Sequence, residues 1–282
     1  MMSECSSCAS NQNGSCASGG ACPSGEVTPT EAQKRSHIKN IIVVMSGKGG
    51  VGKSSFSSLV AVALNKKGYK VGLMDADITG PSIPKLFGIK AKPEVTEFGA
   101  LPVESKTKIK LMSMNFMLPH EDDPVIWRGP VIASVIKQFT DEVVWGDLDY
   151  LVIDLPPGTG DVPLTILQSL EVAGAIIVTT PQSLSNMVVR KGIKMLEMME
   201  VPVLGLAENM SYLPCPDCDS QIEIFGKSHL EETSKAFDLN LLGRFPLDPT
   251  LAQLGDEGKI EDYQGKVLEL LMENIEKILP KA

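Results

Sequence analysis

No apolar run in this sequence approaches the roughly 18 residues of a membrane-spanning helix, which argues against a helical membrane protein. Positive charge is also scarce. The chain has 26 lysines and arginines against 35 aspartates and glutamates, a formal net charge of −9, whereas a nucleic-acid surface needs a basic face. The N-terminus lacks the apolar core of a secretory signal and is rich in Ser, Gly and Cys instead. These absences predict a cytoplasmic protein with neither nucleic acid nor membrane as partner. Aromatic residues are few, at 5%, but a hydrophobic fraction of 43% over 282 residues can build the core of one large domain or two small ones. In a reducing compartment, the six cysteines read as metal ligands or redox thiols rather than structural disulfides.

What the chain does contain is a phosphate-binding loop. Gly47-Lys48-Gly49-Gly50-Val51-Gly52-Lys53-Ser54 fits G-x-x-x-x-G-K-[ST], with a second lysine, Lys48, near its start. Ile41–Met45 precedes it as a buried parallel strand should. Phe56, Leu59, Val60, Ala63 and Leu64 follow at helical spacing up to Gly68, a C-cap candidate. The glycines allow backbone N–H groups to close on phosphate oxygens, and the helix N-terminus adds its positive end. Lys53 would reach the β/γ-phosphates and the Ser54 hydroxyl would sit on Mg²⁺, with Ser55 completing the nucleotide-binding set.

Apolar runs alternate with helical patterns from residue 41 onward. Strands are expected over Lys70–Met74, Tyr150–Ile153, Ala175–Thr179, Val203–Ala207 and Leu241–Phe245. Helices are expected over Val131–Val144, Leu184–Met198 and Val267–Leu279, and a hairpin or edge insertion within 91–118. The alternation implies an α/β fold, a mainly parallel sheet with helices on both faces. Residues 1–37 read as a flexible Cys-rich segment and 38–282 as a P-loop ATPase domain.

Further motifs fall at the carboxyl ends of strands, where such sheets bind ligands. Asp75 and Asp77 leave a strand on the same side. They are either solvated turn residues or one carboxylate for Mg²⁺ and one for the attacking water. Asp154-Leu155-Pro156-Pro157-Gly158 is an apolar strand ending in Asp and then a Pro/Gly turn. That pattern suits a magnesium-binding Asp and a γ-phosphate-sensing loop hinged at Gly158. Asn209 offers a donor and an acceptor that suit an adenine edge, or simply forms a turn. Cys215-Pro216-Asp217-Cys218 is one C-x-x-C pair, open to half a zinc site, a redox disulfide, or two ligands of an iron–sulfur cluster. Two copies about a two-fold axis would supply four thiolates. Cys5, Cys8, Cys16 and Cys22, in a polar segment, can wrap a four-iron cluster or one zinc.

With these motifs the chain resembles the Mrp/ApbC family of iron–sulfur carrier ATPases, which are deviant phosphate-loop proteins related to MinD and ParA. The resemblance covers residues 38–280. It rests on SGKGGVGKS, MDADITGPSIP, VIWRGP, VIDLPPGTGD, TTPQ, ENMSYLPCPDC and FPLDP, in that order. It implies a homodimer sandwiching two ATP molecules, with Lys48 reaching phosphate in the partner's site. Asp77 would orient water, Asp75 and Asp154 would lie near Mg²⁺, and Asn209 would read adenine. Lys48, Lys53 and Asp77 form the implied catalytic set. Cys215 and Cys218 would meet their symmetry mates around a bridging [4Fe–4S] cluster destined for apo iron–sulfur proteins. The N-terminal cysteines depart from the pattern of eukaryotic relatives, sharing only the gap Cys16-x₅-Cys22. Trp127 and Arg128 lie in a family signature.

Three other functions fit parts of the sequence. A MinD/ParA-type positioning ATPase would want a basic amphipathic C-terminal helix or a basic surface, and needs no C-x-x-C pair. An electron-donating ATPase of the nitrogenase iron-protein kind would want its paired cysteines on separate loops. A zinc-stabilised ATP-dependent chaperone would differ by its metal.

Overall fold

The computed structural model describes residues 29–77, 80, 82–113, 116, 135, 138–139, 141–218 and 220–282, with only the backbone described at 183–186. The chain order begins α1 (Glu31–Lys34), β1 (His37–Ser46), α2 (Lys53–Lys66), β2 (Val71–Asp75), α3 (Ile83–Leu86), β3 (Glu94–Thr96), β4 (Gly99–Leu101), β5 (Val103–Glu104), β6 (Lys110–Ser113) and β7 (Asp147–Asp154). It continues α4 (Asp161–Ser169), β8 (Gly174–Thr179), α5 (Ser183–Met198), β9 (Val203–Pro214), β10 (Gln221–Ile222), α6 (Leu230–Phe237), β11 (Leu241–Pro246), α7 (Pro249–Asp256) and α8 (Lys266–Ile278).

Successive side chains of a strand point to opposite faces, and β1 shows what that does here. Ile42 and Val44 enter one core, with Leu59, Leu64, Leu271 and Ile275 of α2 and α8. Val43 and Met45 enter the other, with Ile166 of α4 and Ile193 and Leu196 of α5. Both faces are covered, so the strands read as continuous apolar runs rather than alternating ones. The sheet runs β10–β9–β8–β1–β7–β2–β6–β5, and β11 also pairs with β9. Its neighbours are parallel except β10 on β9 and β5 on β6. This is the expected parallel α/β sheet with helices on both faces.

Helix α2 is buried along nearly its whole length, from Lys53 to Leu64. It ends where expected: Gly68, at φ +93°, follows the C-cap Lys67. The closing helix α8 buries Val267, Leu271 and Ile275, so its apolar face is core packing. The 91–118 stretch supplies both a separate hairpin, β3–β4, and an edge, β5–β6. The expected helix over 131–144 falls largely outside the described residues. Among the described residues, no helix is long and apolar enough to cross a membrane.

Several strands run past their sequence readings: β1 begins at His37 rather than Ile41 and β7 at Asp147 rather than Tyr150, and β9 departs furthest. Strand β9 does not stop at Ala207 but runs to Pro214. Pairing with β11 out to Tyr212 sustains it past the polar residues that interrupt its apolar run. A bulge takes up the irregularity: Met210 sits at φ +53°, and the β11 register shifts there.

Candidate functional site

The loop between β1 and α2 follows from its glycines. Gly52 is the N-cap of α2 at φ +75°, and a Cβ there would lie 2.4 Å from Asn209 Nδ2. A Cβ on Gly47 would lie 2.7 Å from Val188 of α5. Only glycine fits at both positions. The first turn of α2 has no side-chain cap and no acidic residue, so its N–H groups remain available to an anion. A cavity of about 290 Å³ lies over this turn, lined by Lys48, Gly49, Gly50, Lys53, Ser54, Ser55, Asp77 and Pro157. Val51 instead turns inward to the core.

Beneath the cavity lies a buried charge cluster at the ends of β2 and β7. Asp75 and Asp154 are register neighbours and fully buried. Asp154 accepts hydrogen bonds from the Ser54 and Ser57 hydroxyls at 2.6 Å each, and its Oδ1 lies 2.8 Å from Lys53 Nζ. Asp77 Oδ2 lies 3.9 Å from the same ammonium. Burial, and then the Asp154 charge, push the Asp75 carboxyl up to about 7. The Ser54 and Asp154 oxygens form a hard-oxygen pair that fits a Mg²⁺ ion.

Asp75, expected near Mg²⁺ together with Asp154, lies beside Asp154 at the strand ends and accepts a further set of hydrogen bonds. Its Oδ2 accepts from the amides of Ser82 and Ile83 at 3.1 and 3.2 Å and from the Ser113 hydroxyl, while Oδ1 accepts from the amide of Asp77 at 3.2 Å. Its oxygens therefore shape the loop that carries Asp77. Lys48 donates to the Gln182 side chain of its own chain. The amide of Gly158 (φ +90°) donates to Ser46 O at 2.8 Å. Asn209 lies within β9 rather than in a turn, and its Nδ2 donates to Val51 O at 2.9 Å.

Six residues past that contact, just beyond the end of β9, comes the first of the paired cysteines. The Cys215 amide bonds Ser220 O at 3.0 Å, closing a hairpin onto β10. Cys218 is exposed and Cys215 partly so. Hydrogen bonding from the Ser220 hydroxyl (Sγ···Oγ 2.9 Å), then from its backbone and from Cys215, pulls the Cys218 thiol below its usual range. The nearest histidine, His229, pairs with Glu232 instead. Among the described residues, no three Cys, His, Asp or Glu side chains cluster to hold a metal. Cys5, Cys8, Cys16, Cys22, Trp127 and Arg128 lie outside the described residues.

Sequence reasoning missed Ser57, Ser113 and Arg244. The Ser54/Ser57 spacing on one helix face was a usable signal for the first. The partners of Ser113 and Arg244 come from other strands and leave no local pattern.

A family model described as ParA, the NUBPL iron-transfer P-loop NTPase, matches residues 37–279. The iron-sulfur cluster carrier protein of Aquifex aeolicus is 47% identical over 223 residues, covering 79% of this chain and 61% of that protein. The protein of the same name from Methanocaldococcus jannaschii is 44% identical over 254 residues, covering 86% of this chain and 88% of its own. A solved nucleotide-binding protein from Archaeoglobus fulgidus, in complex with ADP, is 43% identical with a TM-score of 0.76, covering 85% of this chain and 95% of that one.

Proposed function

The chain belongs to the ParA/NUBPL family of iron-transfer P-loop NTPases, and on that premise we propose that it is a cytoplasmic ATP-hydrolysing carrier. It takes up a [4Fe–4S] cluster as cargo and passes it to apoproteins. The observation that carries this reading is the pairing of two sites on one strand: β9 touches the phosphate loop through Asn209 and ends at two accessible thiols. Those thiols lack a third ligand among the described residues. A second copy of the chain supplies two more, so the cargo bridges a homodimer.

In the nucleotide site, α2 and the loop glycines bind the phosphates, and Lys53 turns from Asp154 to the β/γ-phosphate oxygens. Ser54 and Asp154 would hold Mg²⁺, which when bound neutralises phosphate charge. Asp77 orients the water that attacks the γ-phosphorus, giving ADP and inorganic phosphate. Lys48 leaves Gln182 and reaches phosphate in the partner's site, which makes hydrolysis depend on the dimer. Asn209 positions the phosphate loop through Val51, and its remaining donor and acceptor stay available for adenine.

Transfer of cluster to an apo four-iron acceptor enzyme, with and without ATP, tests this. The intact protein should activate the acceptor, with a rate that depends on ATP. Lys53→Ala should lose that dependence while still accepting cluster. An ATP-independent wild-type rate would refute the gated-carrier reading.

A further inference from the structure

Glu208 is 2% exposed and sits one residue before the Asn209 that touches the phosphate loop. A buried carboxylate needs a counter-charge or hydrogen bonds. Here it has a relay: Ser211 Oγ donates to Glu208 Oε2 at 2.5 Å and accepts from Arg244 Nε at 2.8 Å. The Arg244 guanidinium, reaching across from β11, lies 3.6 Å from Glu208 Oε2. Its other end extends the opposite way, to Glu223 Oε1 at 3.3 Å, just past β10 on the returning arm of the cysteine hairpin. Between the two it lies over the Tyr212 ring, 5.9 Å from its centroid. One rigid, planar cation thus joins the β9 segment flanking Asn209 to the hairpin that presents Cys215 and Cys218. An arginine fork can do this where a lysine point charge cannot.

The backbone joins the same two places. The Met210 bulge lies between Asn209 and Ser211, and its positive φ is uncommon for a residue with a side chain. It aims Asn209 at Val51 O while Ser211 returns to the Arg244 relay. Displacing the phosphate loop therefore moves the strand segment to which Arg244 is anchored. Among the described residues the hairpin is otherwise held by two register pairs, Gln221 with Pro214 and Ile222 with Leu213, and by the Cys215 amide on Ser220 O.

We propose that Arg244 is a positioning residue that ties the Cys215–Cys218 hairpin to the phosphate loop, so that nucleotide binding changes the reactivity of the two thiols. This deepens the carrier reading and rests on it for its purpose: the cluster ligands report which nucleotide is bound. Arg244 touches neither phosphate nor thiol and acts through Glu208, Ser211 and Glu223.

The test is the iodoacetamide alkylation rate of Cys215 and Cys218 in the full chain, read by peptide mass spectrometry with and without Mg²⁺ and a non-hydrolysable ATP analogue. In the wild type the nucleotide should change the rate by about fivefold or more, the low end of ordinary coupling between sites. Arg244→Ala risks leaving Glu208 buried and unpaired, so two milder variants serve. Arg244→Lys keeps the charge and loses the span, while Glu223→Ala removes only an exposed anchor whose loss leaves stability nearly unchanged. Both should bring the ratio to within twofold of one, with analogue affinity unchanged. A nucleotide-independent wild-type rate, or variants that keep the wild-type ratio, would overturn the proposal. Parallel loading with iron and sulfide separates it from the carrier reading. A wild type that shows the thiol response but holds no cluster sinks the carrier and leaves the coupling standing.

Discussion

Replacing Gly52 with alanine should strain the joint between the phosphate loop and β9, and two separable effects set the size of the loss. At φ +75°, a residue with a Cβ costs about 1–2 kcal/mol over glycine. The new Cβ would also lie 2.4 Å from Asn209 Nδ2, so Asn209 must swing away and give up its 2.9 Å bond to Val51 O, worth about 1 kcal/mol. The sum is about 2–3 kcal/mol, or on the order of 5–10 °C in melting temperature for a domain of this size. Urea unfolding of the nucleotide-free protein measures it. The argument makes a sharper demand on the double variant. In an Asn209→Ala background the closest obstruction is gone, leaving only the flexible end of Met210 at 3.2 Å, so Gly52→Ala should there cost about 1 kcal/mol less than in the wild type. An equal loss in both backgrounds would refute the Asn209–loop contact as described.

Two further perturbations probe the buried charges. Asp154→Ala leaves Lys53, 6% exposed, with Asp77 3.9 Å away as its nearest anion. Stability should fall by about 3 kcal/mol, and a loss below about 1 kcal/mol by urea unfolding would count against the pairing. The Asp75 carboxyl, at about 7 when folded against 3.8 ordinarily, holds its proton in the folded chain after the unfolded chain has released it. Its contribution is therefore most favourable below about pH 4 and is lost as pH rises to about 7. The total is about 4 kcal/mol, at 1.36 kcal/mol per pH unit of difference. Asp75→Asn should flatten that decline in the nucleotide-free protein, which urea unfolding at pH 5.5 and 8 would show.

What the sequence revealed, and what it hid, follows from how local each signal is. The β1–loop–α2 unit was legible because strand, glycines and helix are consecutive and each part obeys its own short-range rule. The ends of β2 and β7 were legible because a buried apolar run stops abruptly at Asp75 and Asp154. Strand β9 extends past its sequence reading because Glu208, Asn209 and Ser211 look like a loop, and the strands that hold this segment in the sheet, β8 at Glu208 and β11 at Glu208 and Tyr212, are distant in sequence. Asp75 was legible as a strand-end carboxylate, while its acceptor duty to Ser82, Ile83 and Ser113 was not, because those partners lie on other elements. The Arg244 relay joins β9, β11 and Glu223 just past β10, and no periodicity marks it.

The central claim is that Cys215 and Cys218 of two chains share one cluster. Anaerobic reconstitution of the intact protein with iron and sulfide, followed by iron, sulfide and zinc analysis and native mass, tests it most directly when repeated on Cys215→Ala. The account predicts a dimer with a labile four-iron cluster between its chains, and a variant that loses this cluster yet still binds nucleotide. Zinc in place of iron, or a variant that keeps its full complement of cluster iron, would contradict it.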